Sequence, residues 1–284
     1  MRLRVLALTI DLLWVTAAAA QTLMTEPSSD AFQPAARSCI EQMISVFENE
    51  STSLKYDLVE DLNDGRGYTA GRAGFASRDS DLLDVVEVYN RLQPNNALSV
   101  FVPVLKQRRG TASTEGLEAF PAAWKKAALD PLFRQAQDQV NDELYYRPAM
   151  QAANALHLRS PLAKLALYDA IIQHGIGENS DSFDGIIRAA NRAAQGPPYQ
   201  AGEQKWLMAF LTARNQVLLN ASEPETRQVW KESVGRVNEQ LRLLKAGNLQ
   251  LSTPLVLNPY GTAFTVNCVV SLSAPKRTEL QSKP

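Results

Sequence analysis

Apolar positions along this chain recur mostly at intervals of three and four residues. Ile40, Met43, Ile44 and Phe47 fall at i, i+3, i+4 and i+7, which predicts a helix with one apolar face. Leu82, Val85, Val86 and Tyr89 repeat that spacing directly after polar Ser80 and Asp81, and Pro94-Asn95-Asn96 closes the helix. Phe133, Ala136, Val140 and Leu144 predict a longer one. Ser160-Pro161 joins a capping side chain to a proline at the first turn and predicts a helix start. Ser222 and Glu225 have capping-box spacing ahead of Val229 and Trp230. One segment breaks the rhythm. Residues 64–75 read DGRGYTAGRAGF, and glycines at 65, 67, 71 and 74 are too dense for a helix. The segment predicts a turn and then a small hairpin, a β element near residues 65–77. Residues 249–270 also read as extended. The expected fold class is mainly α with a small β-hairpin element.

Composition narrows the function. The chain has 284 residues, 45% of them hydrophobic, enough for a sizeable core in one or two domains. Charged residues make up 21% and the net charge is -1, which excludes a wholly disordered chain and argues against a nucleic-acid partner. Two histidines and two cysteines leave little material for a zinc site, and no metal is expected.

The first twenty residues read as a secretory signal. Arg2 and Arg4 precede an apolar run over 5–16, and the small Ala18 and Ala20 place cleavage before Gln21. The run is too short for a membrane anchor and Asp11 interrupts it. No later stretch approaches 18 uninterrupted apolar residues, so no membrane association is expected. Losing residues 1–20 leaves a net charge of -2. Residues 21–36, polar with Pro27 and Pro34, read as a loose arm. Residues 37–270 form the expected catalytic domain and 271–284 a tail. Secretion makes a Cys39–Cys268 bridge possible, and two buried free thiols fit the sequence equally.

Two carboxylates stand out. Glu48 follows the apolar helix face ending at Phe47, and Asp64 opens the glycine-rich turn. One lies beside apolar bulk and the other among backbone donors. Glycoside hydrolysis needs such a pair in unlike surroundings, one as acid and one as base. Arg214 is singled out by its neighbours Leu207, Phe210, Leu211, Val217 and Leu218, on a helix apolar on nearly every face. A guanidinium there must be buried and paired. Asp169 lies among Leu165, Ile171 and Ile172 in a similar helix. Trp124, Trp206 and Trp230 sit on helical faces and are read as core, and His174 as a structural hydrogen-bonding residue.

Longer motifs carry a resemblance. Phe47-Glu48-Asn49, Tyr56, Val59-Glu60, the run from Asp64, Asp81 and Val85-Val86-Glu87-Val88-Tyr89 resemble the family 46 glycoside hydrolases, the chitosanases. AFPAAW (119–124), AQDQVNDELYYRPAM (136–150), LYDAIIQHG (167–175), DSFDGIIR (181–188), KWLMAFLTAR (205–214) and WKESVGRV (230–237) follow in order. The resemblance covers roughly residues 38–267. It implies a lysozyme-like fold, two helical lobes around a substrate cleft, and cleavage of β-1,4 links in chitosan with inversion. Carried over, Glu48 is the general acid, Asp64 the base that activates water, and Thr69 helps to hold that water. Asp81 matches an aspartate that binds a substrate amine; it is also a favourable acid at a helix N-terminus. Arg66, Tyr68 and Tyr145 match cleft positions. Asp169, Arg214 and Arg236 match an Arg-Asp-Arg network behind the glutamate. No metal or organic cofactor is implied, and a monomer is expected.

Two other readings remain open on sequence alone: a lysozyme-like hydrolase of chitin or peptidoglycan, and a non-catalytic chitosan-binding protein. Asp81 favours free amines over acetamides, and the presence of both Glu48 and Asp64 speaks against the binding protein. Sequons stand at Asn49 and Asn220; a glycan on Asn49 would obstruct the cleft, so Asn220 is the better acceptor.

Overall fold

The computed structural model describes residues 34–63 and 65–268. The leader, most of the arm, Asp64 and residues 269–284 lie outside the described residues. Helix α1 (Pro34–Asn49) carries the first apolar face and ends two residues after Phe47. It begins within the stretch expected to be a loose arm, because Pro34 has the fixed φ that suits a first helical turn. The glycine-rich segment forms β2 (Tyr68–Ala70) and β3 (Phe75–Ala76). A strand the periodicity did not predict, β1 (Val59–Asp61), completes a three-stranded antiparallel sheet, with Glu60 opposite Thr69.

Helices follow: α2 (Asp81–Leu92), α3 (Val102–Gln107) after a 3₁₀ turn, α4 (Phe120–Ala127) and α5 (Pro131–Asn141). A π-turn over Asp142–Tyr146 joins α5 to α6 (Arg147–Ala155). That turn inserts an extra residue into the helical repeat. Phe133, Ala136 and Val140 are buried as predicted, but Leu144, the fourth member of the same stripe, is rotated out to solvent. The sheet packs on α2 and α4, and Val59, Phe75, Leu82, Val86, Phe120 and Trp124 share one core.

The remaining elements are α7 (Pro161–His174), α8 (Phe183–Ala194), α9 (Pro198–Ala201), α10 (Glu203–Leu219), α11 (Pro224–Glu232), α12 (Val234–Lys245) and a two-stranded sheet of β4 (Leu255–Leu257) and β5 (Phe264–Val266). Ser160 caps α7 as its sequence predicts, its hydroxyl accepting from Ala163 N–H at 3.2 Å. Helix α10 packs on α8 and α12, and α1 on α7 and β5. Ser222 is not the cap of α11. Pro224 takes the first helical position, and Ser222 instead donates from N and Oγ to Asp181, both at 2.7 Å. Cys39 on α1 is bridged to Cys268 across a Cα separation of 4.8 Å, so the free-thiol alternative falls. Trp124 and Trp206 are fully buried, as core residues should be, but Trp230 is only partly buried, its ring lying edge-on to His174 at 4.7 Å. Among the described residues no helix is long and apolar enough to cross a membrane.

Candidate active site

The last turn of α1 places Glu48 at the surface end of an otherwise buried face, with its side chain 19% exposed. Its carboxylate does not stand alone. Arg236, from the first turn of α12, donates Nη1 to Glu48 Oε1 at 2.5 Å and to Asp169 Oδ1 at 3.1 Å. Its Nη2 donates to the Phe47 carbonyl at 3.0 Å, so one guanidinium grips both the backbone and the carboxylate of the helix end. Asp169, fully buried on α7, also accepts from Arg214 Nη1 and from Gln240 Nε2. Burial alone would push the Asp169 carboxyl up. Arg214 and Arg236, with the hydrogen bonds from Arg214 and Gln240, hold it below the ordinary carboxylate value.

Arg214 is fully buried and paired, as its apolar neighbours require. It also donates Nη2 to Gln173 Oε1 at 2.8 Å and Nε to His174 Nε2 at 3.2 Å. Because guanidinium nitrogens only donate, Nε2 of His174 is the acceptor. Nδ1 therefore carries the proton, given to the Asp181 carbonyl at 3.0 Å. Burial, reinforced by the positive charge of Arg214, lowers the His174 pKa to about 3. A lowered histidine pKa means that the unfolded chain binds a proton the folded one refuses. Stability is therefore full above about 6.5 and lost progressively toward about 3. We expect the urea midpoint to fall between pH 7 and pH 4.5 by the equivalent of about 2–3 kcal/mol, and His174→Gln to shrink that difference. An equal pH dependence in both proteins would remove His174 as its source.

The hairpin side carries the other candidates. Thr69 on β2 is buried, and its Oγ1 has no hydrogen-bond partner among the described residues. A buried hydroxyl left unpaired is one that an ordered water or ligand can satisfy. Asp81, the first residue of α2, ties this strand system together. Its Oδ1 accepts from Ala76 N–H at 2.7 Å and Leu82 N–H at 2.8 Å, and its Oδ2 from Tyr145 OH at 2.7 Å. Burial pushes the Asp81 carboxyl up to about 6, against the pull of the Tyr145, Ala76 and Leu82 hydrogen bonds. Burial, and then the charge of Asp81 and the hydrogen bond to it, push the Tyr145 hydroxyl well above its ordinary value. Tyr68 is half-buried and stacks on Phe120 at 6.2 Å. Arg66 is half-buried in the turn, its carbonyl accepting from Arg78 N–H at 3.1 Å. Asp64 lies outside the described residues, between Asn63 and Gly65.

Sequence reading missed Tyr260, Gln240 and Gln173. Tyr260 donates to the Phe47 carbonyl at 2.9 Å and accepts from Arg236 Nε at 3.3 Å, doubling the clamp on the end of α1. It sits in the turn between β4 and β5, where no periodicity marks it. Gly235 lets that turn approach: a Cβ there would collide with the Pro259 carbonyl. No group of residues suited to hold a metal occurs among the described residues.

The mainly helical fold with a small antiparallel sheet, and a largely buried carboxylate held by Arg236 at a helix end, are those of a lysozyme-like architecture. The glycosyl hydrolase family 46 profile matches residues 42–255. The chain is 44% identical over 226 residues to a chitosanase of Bacillus subtilis (strain 168), covering 78% of this chain and 82% of that one. It is 40% identical over 230 residues to a chitosanase of Streptomyces sp. (strain N174), covering 80% of each. The structure superposes with a TM-score of 0.78 on a Gynuella sunshinyii family 46 chitosanase in complex with chitotetraose, at 43% identity, covering 82% of this chain and 98% of that one. It matches equally, at 42% identity and a TM-score of 0.78, a mutant chitosanase of Bacillus subtilis MY002 complexed with 6 GlcN, covering 82% and 98%. The chain belongs to glycoside hydrolase family 46.

Proposed function

We propose that this protein is a secreted, monomeric endo-chitosanase that hydrolyses β-1,4 links between glucosamine units with inversion. The observation that carries the reading is the clamped Glu48 carboxylate, in a chain whose relatives are named chitosanases. Glu48 protonates the departing glycosidic oxygen. Asp64 takes a proton from the water that attacks C1 from the opposite face, and Thr69 Oγ1, buried with no partner among the described residues, helps to hold that water. Asp169, Arg214 and Arg236 orient Glu48. Asp81, backed by Tyr145, meets a substrate ammonium, and Arg66 and Tyr68 line the same cleft. The Cys39–Cys268 bridge fits an oxidising compartment, as does the leader.

Protein recovered from culture medium, beginning at Gln21, should release reducing ends from chitosan. Proton NMR should find the α-anomer first, since one displacement inverts a β-link. Asp64→Asn should abolish that release. A β-anomer as the initial product would sink the single displacement, and no release at all would sink the chitosanase reading.

A further inference from the structure

The carboxylate of Glu48 and the hairpin that begins just after Asp64 sit on elements with different packing partners. Helix α1 packs on α7 and β5, whereas β1 packs on α4 and β3 on α2. Inversion depends on the spacing between acid and base, roughly 6.5–9.5 Å. Something has to hold the two elements in register.

One residue crosses between them. Arg72 lies in the turn from β2 to β3, three positions after Thr69, and is 4% exposed. Its Nη2 donates to Glu41 Oε2 on α1, and its Nη1 to Asp138 Oδ1 on α5. Its carbonyl accepts from Asn49 Nδ2 at 3.3 Å, and its N–H donates to Gln137 Oε1 at 3.1 Å. Glu41 and Asn49 bracket the last two turns of α1, with Glu48 between them. The contact is supported from behind. Arg37 donates to Glu41 at 3.5 Å and to Asp142 of the π-turn at 2.5 Å, and Tyr56 OH donates to Asp138 at 2.9 Å. The turn can come this close because Gly71 holds φ +73 and lacks a side chain; a Cβ there would collide with Gln137 Oε1. Burial pushes the Glu41 carboxyl up, and Arg72 and Arg37 oppose that shift.

We propose that Arg72 is a positioning residue for the reaction: its guanidinium and carbonyl lock the Thr69 hairpin to both ends of the helix segment that carries Glu48. This rests on the proposed roles of Glu48 and Asp64. Arg72 touches neither substrate nor reacting atoms on this account. It sets where the Glu48 carboxyl stands when it delivers its proton.

Arg72→Lys tests this, because an ammonium keeps the charge but cannot span Glu41 and Asp138 as a planar fork does. At equal folded fraction, kcat on chitosan should fall about 10- to 100-fold, with KM within about threefold of wild type. A dinitrophenyl glycoside of a glucosamine oligomer, whose leaving group departs without a proton, should lose less than about threefold if the defect is acid placement. Should R72K fail to fold, Glu41→Gln carries the same test, with the same split between the two substrates. Unchanged kcat in the folded fraction, or equal losses on both substrates, would overturn the positioning role. An inactive wild type would overturn the chitosanase reading instead, so the two failures are distinguishable.

Discussion

Glu48→Gln is expected to lower kcat on chitosan by about 10²–10⁴-fold while leaving the fold intact. Glutamine fills the same space and can still accept the Arg236 hydrogen bond, but its amide has no acid proton to give. Arg236 keeps its contacts with Asp169 and the Phe47 carbonyl, so no buried guanidinium is stranded. Melting should therefore fall less than for Asp169→Ala, whose loss strands two guanidinium groups. The check is steady-state kinetics beside a thermal melt. More than about a tenth of wild-type turnover would take Glu48 out of the acid role.

Asp169→Ala should be the most destabilising change at the site. Its carboxylate is the shared partner of Arg214 and Arg236 and also accepts from Gln240. Arg214 and Asp169 are both fully buried, so no solvent can replace the lost charge. Removing one partner of a buried pair costs about 3–5 kcal/mol. In a chain of this length that corresponds to a fall in Tm of very roughly 6–20 °C. Activity should fall with it even in the folded fraction, because Arg236 would no longer be held at both ends while it orients Glu48. A melt within about 2 °C of wild type would mean that water reaches the pair, against its burial.

The helices of this protein were largely legible because their stabilising contacts are local. Ile40 to Phe47 and Leu82 to Tyr89 advertise their buried faces by spacing, and each is buried. The Ser160 cap was readable for the same reason: donor and acceptor lie three residues apart. Legibility failed where a long-range contact overrode the local pattern. Leu144 continues the stripe of α5, yet the π-turn that brings Tyr145 to Asp81 turns it outward. Ser222 has the residue type of a cap, yet it bonds to Asp181, 41 residues away in sequence.

By itself the sequence determined the class of architecture, the need for Arg214 to be paired, and, through its motifs, the family. A buried guanidinium among leucines must find an anion, whatever the fold. The motifs pointed to Asp169 as that anion; that Gln240, Gln173 and His174 share the cluster only the tertiary structure decided. Asp169 serves two arginines, and Tyr260 reaches the end of α1 from 213 residues away. Arg72 joins the hairpin to α1 through Glu41, 31 residues earlier. Periodicity records which face of an element is buried, but not which side chains of other elements meet it there. Those meetings are set by packing at long sequence separation, and they hold Glu48 in place.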